Sequence, residues 1–204
     1  MATPESSPDV PPRVGRQPAT SVEQLTHVAL PLFIEHGFDA TTIDDIASAA
    51  GIGRRTFFRY FASKNDVPWG DFDTLTDGMR AHLRSMPADL PLIDALHAAI
   101  VEFNRYPAEE LPYHRQRMEL LLNVPSLVAH STLRYAAWRN AIAEFAAHRL
   151  GSEPGDLEPQ TIAWASLAAS LAAYEQWLRH DDADLIALLH ESFAVLDRMF
   201  DRTT

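Results

Sequence analysis

Residues 41–67 read TTIDDIASAAGIGRRTFFRYFASKNDV. Thr42 is a good N-cap residue, and Asp44 and Asp45 stand where a helix start favours negative charge. Ile43, Ile46 and Ala47 give the next short helix one apolar face. Gly51-Ile52-Gly53 makes a tight turn, with Gly51 where a positive φ can be needed. The spacing predicts a further short helix from Arg54 to Phe61. Two short helices joined by a Gly-containing turn of ~3–4 residues are a helix-turn-helix. Ala47 is small where the two helices approach closely, and Ile52 and Phe57 can pack the second on the first. Arg54, Arg55, Thr56 and Arg59 stay exposed on the second helix, with Tyr60 and Lys64 just beyond.

That face suits nucleic acid. A recognition helix touches base edges with its N-terminal residues, while hydroxyls and cations around it hold phosphates. Arg54 and Arg55 can each donate a bidentate pair to guanine O6 and N7. Thr42, Tyr60 and Lys64 carry donors for phosphate. The full set assigned to DNA is Arg16, Thr41, Thr42, Arg54, Arg55, Thr56, Phe57, Arg59, Tyr60 and Lys64. An Arg-Arg pair alone is usually solvated surface; the cap, the small residue, the Gly turn, the basic helix and the lysine coincide here in one short window.

Outward from this window the chain reads as all-α. Residues 1–19 are rich in Pro, Ser and Thr and make a disordered arm that carries Arg13 and Arg16. Ser21-x-x-Gln24 resembles a capping box and opens a helix that Gly37 ends. Pro31 lies inside that helix and predicts a kink. Ser63-x-x-Asp66 predicts the cap of a fourth helix running to Ser85. Prolines punctuate later helices near 90–104, 109–122, 126–150, 159–180 and 183–201, for about nine in all. The expected organisation is an arm over 1–19, a helix-turn-helix domain over 20–66 and a larger helical domain over 67–204.

Composition bounds the function. The chain of 204 residues has 47% apolar and 22% charged residues, enough for a real core. It has no cysteine, so disulfides, thiolate catalysis and Cys-based metal sites are excluded. No secretory leader or membrane span is legible, which predicts a cytoplasmic protein. Enzyme motifs fail as well. No two of the nine histidines stand four apart as in a helical zinc site, so no metal is expected. Gly51-x-Gly53 follows a helix and lacks the third Gly of a dinucleotide loop, and no nucleophile motif is present. No cofactor is expected.

Thr41-Thr42, the run Ile46-Ala47-x-x-Ala50-Gly51-Ile52 and Thr56-x-Phe58-x-Tyr60-Phe61-x-Ser63-Lys64 resemble the signature of TetR-family transcriptional regulators. Gly53 departs from it where Ser is frequent, weakening a side-chain cap. Arg55 departs where Gly is frequent, making the helix more basic. The stretches NDVPWGDFD (65–73), HSTLRYAAWR (130–139) and PQTIAWASLAASLAAYEQWL (159–178) resemble regulators associated with the mycofactocin system of actinobacteria. The resemblance implies a ligand-responsive repressor with a palindromic double-stranded DNA operator. It also implies a small apolar or acyl-coenzyme A effector, and a homodimer built on the last two helices. The alternative is an all-α small-molecule-binding protein or enzyme with a vestigial DNA-binding module.

Ala165, Ala169, Ala172, Leu188, Ser192, Leu196 and Met199 are the candidate dimer face. Small residues there permit close packing, and the last helix carries two interleaved apolar stripes. Candidate effector-pocket residues are Phe103, Tyr113, Arg117, Met118, Leu121, Leu122, Arg134, Trp138 and Trp164, with the arginines as anion partners. The net charge of −11 is divided unevenly: residues 13–66 sum to zero and residues 67–204 to −9. The acidity therefore belongs to the sensor and dimer part, and the bases gather on the recognition helix.

Overall fold

The computed structural model describes residues 20–200, and the arm with Arg16 lies outside them. The order is α1 (Val22–His36), α2 (Ile43–Ala49), α3 (Arg54–Phe57), a 3-10 turn (Lys64–Trp69), α4 (Phe72–Ser85), α5 (Leu92–Phe103), α6 (Leu111–Asn123), α7 (Pro125–Leu150), α8 (Leu157–Arg179) and α9 (Leu185–Phe200). Among the described residues there is no strand. The all-α architecture expected from the sequence is the one observed.

Both N-terminal caps form as full capping boxes. Ser21 Oγ accepts from the Gln24 N–H, and Gln24 Oε1 accepts from the Ser21 N–H. Thr42 and Asp45 exchange the same two bonds at α2. Pro31 does not interrupt α1, which continues through it to His36. Pro31 lies on the exposed face, while Leu25, Leu30 and Phe33 are buried.

Two boundaries differ from expectation. α3 ends at Phe57, and turns carry the chain on to Phe61, where the buried rings of Phe57 and Phe61 pack 5.6 Å apart. The fourth helix starts later than its supposed cap. Ser63 Oγ donates to the Asp66 carboxylate at 2.8 Å and caps no backbone amide. Pro68 lacks an N–H, and Gly70 turns the chain with φ 56°, so α4 begins only at Phe72.

One apolar core runs the length of the protein, from Leu25, Ile46 and Phe57 through Leu96, Ile100 and Ile142 to Leu189 and Phe193. α7 and α8 form its long antiparallel spine, and Gly151 in the left-handed region (φ 69°) closes α7. Two side chains tie α1 to the larger helical part. Thr26 Oγ1 donates to the Val67 carbonyl, and His27 lies on Glu110 at 3.0 Å.

Candidate nucleic-acid interface and effector cavity

α2 and α3 form the helix-turn-helix. Ile46 and Ala47 are buried under α3, Gly51 takes φ 65°, and the Ile52 N–H donates to the Ala47 carbonyl. Arg54, Arg55 and Arg59 are exposed on the outer face, and Thr56 is half-buried. Arg54 pairs with Asp44 at 2.9 Å and lies 5.5 Å from the Phe58 ring, which is itself exposed. Arg59 lies over the Tyr60 ring and donates to its hydroxyl.

Several residues assigned to DNA are used inside the protein instead. Phe57 is fully buried and fixes α3 to the core. Thr41 is 2% exposed, with its hydroxyl on the Gly37 carbonyl. The Lys64 ammonium donates to the carbonyls of Phe38, Thr41 and Asp39 at 2.7, 2.9 and 3.3 Å. Its three protons hold the α1–α2 loop together in the absence of DNA. The Tyr60 hydroxyl donates to the Thr20 carbonyl. Thr42 is exposed, but its hydroxyl serves the α2 cap.

A mostly apolar cavity lies between α4, α5, α6, α7 and α8, with Trp69 of the 3-10 turn in its wall. Of the candidate effector-pocket residues, Phe103, Arg117, Met118, Leu121 and Trp138 line it. Tyr113, Leu122, Arg134 and Trp164 do not. Tyr113 stacks on His27 with ring centroids 3.9 Å apart. Leu122 packs on the outside of the core. Trp164 is 55% exposed, under the Arg139 guanidinium at 3.5 Å. Arg134 turns away towards Asp66 and Asp73. The sequence reading missed Trp69, Asn104, Tyr106, His114, Tyr135 and Tyr174. His114 stands one helical turn before Arg117 and Met118, and Tyr135 one turn before Trp138, so helical spacing could have found both. Trp69 is placed by the 3-10 turn and left no such signal.

The cavity is narrow, about 60 Å³, which is room for a few waters. Its polar groups form a chain. The Tyr174 hydroxyl bonds to Asn104 Oδ1, and His114 Nε2 lies 2.8 Å from the Tyr174 oxygen. Burial pushes the His114 imidazole down to about 3, so it is neutral at pH 7. Burial pushes the Tyr135 phenol up to about 12.

α7 joins this cavity to the DNA-binding head. Tyr135 and Trp138 enter the cavity, while His130 and Arg134, one turn apart on the same helix, hold Asp66 at 3.1 and 2.9 Å. Arg134 also grips both carboxylate oxygens of Asp73 at the start of α4. Burial alone would raise the Asp66 carboxyl. Bonds from Ser63, Arg134 and His130 outweigh it and hold the group below its ordinary range.

On the outer faces of α8 and α9, Ala172 is exposed and Ala165, Leu188, Ser192 and Leu196 are half-buried. Ala169 is 7% exposed and belongs to the chain's own core, which removes it from the candidate dimer face. The side chain of Met199 lies outside the described residues. Away from both sites, Glu23, His27 and Glu110 bring possible ligand atoms within 4.8 Å of one another. Histidine spacing does not reveal this group, because Glu, not His, stands four residues before His27.

Residues 25–67 match the family of bacterial regulatory proteins of the tetR type, and residues 90–201 match the MftR C-terminal domain family. The chain belongs to the TetR family. It is 45% identical over 190 residues to MftR of Mycobacterium tuberculosis, a protein named for regulating mycofactocin biosynthesis; the match covers 93% of this chain and 96% of that one. It is 28% identical to the HTH-type transcriptional regulator TcmR of Streptomyces glaucescens, covering 95% of this chain and 89% of the relative. The fold is also that of FadR from Thermus thermophilus, a repressor solved in complex with lauroyl-CoA, with TM-score 0.56 and 23% identity. That match covers 86% of this chain and 92% of the other. This TetR-type transcriptional regulator is thus a homologue of MftR. No helix among the described residues is long and apolar enough to cross a membrane.

Proposed function

We propose that this regulator is a cytoplasmic homodimeric repressor that acts by binding and not by turnover. Residues 20–66 read a palindromic operator, and residues 67–204 sense an acyl-coenzyme A-type effector and dimerise through α8 and α9. The regulated genes are those of the mycofactocin system, as the relatives suggest. Arg54, Arg55, Thr56 and Arg59 carry the DNA contacts.

The observation that carries this reading is the double use of α7. Phe103, Met118, Leu121, Tyr135 and Trp138 surround a cavity of about 60 Å³, too narrow for an acyl chain as it stands. A chain that enters must push α7 or its neighbours outward. Arg134, next to Tyr135, then pulls on Asp66 and Asp73, which join the head to α4. Each half-site holds one recognition helix about one DNA turn from the other, so a small tilt weakens operator binding. The effector does this only by binding the DNA-incompetent state better, and DNA must weaken effector binding by the same factor.

The test is operator affinity of the full-length protein, measured by fluorescence anisotropy over a range of salt with and without long-chain acyl-coenzyme A. Affinity should fall with salt as a power law and fall again on adding the ester. Arg54→Ala with Arg55→Ala should remove sequence-specific binding. Specific binding that survives that double substitution would defeat the assignment, and tight ester binding without any operator affinity would favour the vestigial-module alternative.

A further inference from the structure

Six buried side-chain polar atoms among the described residues have no hydrogen-bond partner, and four of them belong to residues that line the cavity: Trp69 Nε1, His114 Nδ1, Arg117 Nε and the Tyr135 hydroxyl. Folded proteins pair nearly all such atoms, and each one left bare is costly. Four on residues around one cavity point to a polar partner as well as an apolar one.

The neighbouring bonds fix which of these atoms donate. Asn104 Nδ2 donates to the Ile100 carbonyl at 2.7 Å, so Asn104 Oδ1 is the atom that faces Tyr174 and accepts its proton. A phenol has one proton, so towards His114 the Tyr174 oxygen is an acceptor, and His114 Nε2 must carry a hydrogen. A neutral imidazole carries only one. His114 Nδ1 is therefore a bare lone pair in the cavity wall, opposite in sense to the Trp69 and Arg117 N–H groups, which only donate. The Tyr135 hydroxyl can do either.

A saturated chain satisfies none of these atoms. A carbonyl or carboxylate suits Trp69 and Arg117 but meets the His114 lone pair with another. A hydroxyl answers both, because it donates once and accepts twice. We propose that the effector this cavity selects is a hydroxylated acyl chain, whose O–H donates to His114 Nδ1 and whose oxygen accepts from Tyr135, Trp69 or Arg117. The proposal rests on the acyl-ester reading of the site, and narrows it.

The test compares decanoyl-coenzyme A with its 2-, 3- and ω-hydroxy derivatives for release of full-length protein from its own upstream DNA. At least one hydroxylated ester should act at a concentration about tenfold or more below that of the parent, the scale of one well-made buried hydrogen bond. In Tyr135→Phe and His114→Phe the ratio of potency between the hydroxylated and the parent ester should collapse towards one. Tyr135→Phe removes a single oxygen and leaves the ring in place, so it should fold even if His114→Phe does not. Nitrogen-15 chemical shifts of the histidines report the His114 tautomer without any effector. Equal potency of all four esters, an undiminished preference in both Tyr135→Phe and His114→Phe, or a proton on His114 Nδ1 would each overturn the proposal. If no ester releases the DNA, the acyl-ester reading itself fails and this inference with it.

Discussion

Arg134→Met tests whether α7 transmits. The wild-type guanidinium places Nη1 on both Asp73 oxygens, at 2.9 and 3.0 Å, and Nη2 on Asp66 at 2.9 Å. The two arms differ in worth. Asp73 is 74% exposed, so its arm contributes at most ~1 kcal/mol. Asp66 is 12% exposed, and a charge-assisted bond there contributes ~1.5–3 kcal/mol. His130 and Ser63 still hold Asp66 in the variant, so the carboxylate is not abandoned. The expected loss is ~2–3 kcal/mol, or ~5–10 °C in melting temperature for a chain of this size. The loss has a pH signature. Asp66 titrates below its unfolded value of ~3.9, so its stabilisation is present above that value and fades as pH falls through the folded pKa. The gap between wild type and variant should therefore narrow in acid. The decisive measurement is coupling. In wild type an effector should weaken operator binding ~5–150-fold. In Arg134→Met the effector should bind as before while that factor drops towards one. A variant that melts lower but keeps the full factor would show that α7 supports the fold and does not transmit.

The same geometry sets other outcomes. Lys64→Met should lower the melting temperature, because the Phe38, Asp39 and Thr41 carbonyls lose their donor, yet leave the salt dependence of operator binding unchanged; a slope reduced by about one would restore Lys64 to the phosphates. His114, at about 3 in the folded state and ~6.5 unfolded, gives the unfolded chain the greater proton affinity between those values. Stability should therefore fall by about 2 kcal/mol from pH 7 to pH 5 on account of this group, and His114→Gln should flatten that part of a denaturation profile. Pro31→Ala should stabilise by roughly 2 kcal/mol, since an interior proline costs ~3 kcal/mol and stiffening of the unfolded chain returns less than one. A lower denaturation midpoint would mean that the packing of α1 needs the proline.

What the sequence made legible was local. The capping box at Ser21, the cap at Thr42, Gly51 in its turn and the basic face of α3 are each decided within a few residues, and each formed. Lys64 shows where local reading stops. A lone lysine beside a basic helix looks like a phosphate ligand. What claims it is a set of carbonyls some 25 positions earlier, left without donors where Gly37 ends α1. Thr41 and Thr42 are identical in the sequence, yet one is buried and the other caps α2. The cavity was half legible for a related reason. Spacing along α6 and α7 picks out residues that leave the solvent, but both helices are packed on more than one side. Arg117, Met118 and Leu121 face the cavity, whereas Leu122, one position further, does not. The place in the cavity that the sequence reading gave to Arg134 is taken by its neighbour Tyr135, in an exchange of one position.

That exchange explains how one helix can serve two sites. The 3.6-residue period turns neighbouring residues about 100° apart, so consecutive positions address different partners. On α7, the positions 130 and 134 form one stripe, and 135 and 138 form the next. The first is polar and ends on Asp66 and Asp73; the second is aromatic and ends in the cavity. Any rotation or shift of α7 that makes room for a ligand beside Tyr135 and Trp138 must move Arg134 and His130 by a comparable amount, because all four are fixed to the same backbone. If Asp66 keeps its bonds to them, the 3-10 turn that carries it and begins at Lys64 must follow. Sensitivity to the effector therefore requires no separate relay. It needs only that the two stripes stay in register, which an insertion of one residue between 130 and 138 would destroy while leaving both ends chemically intact.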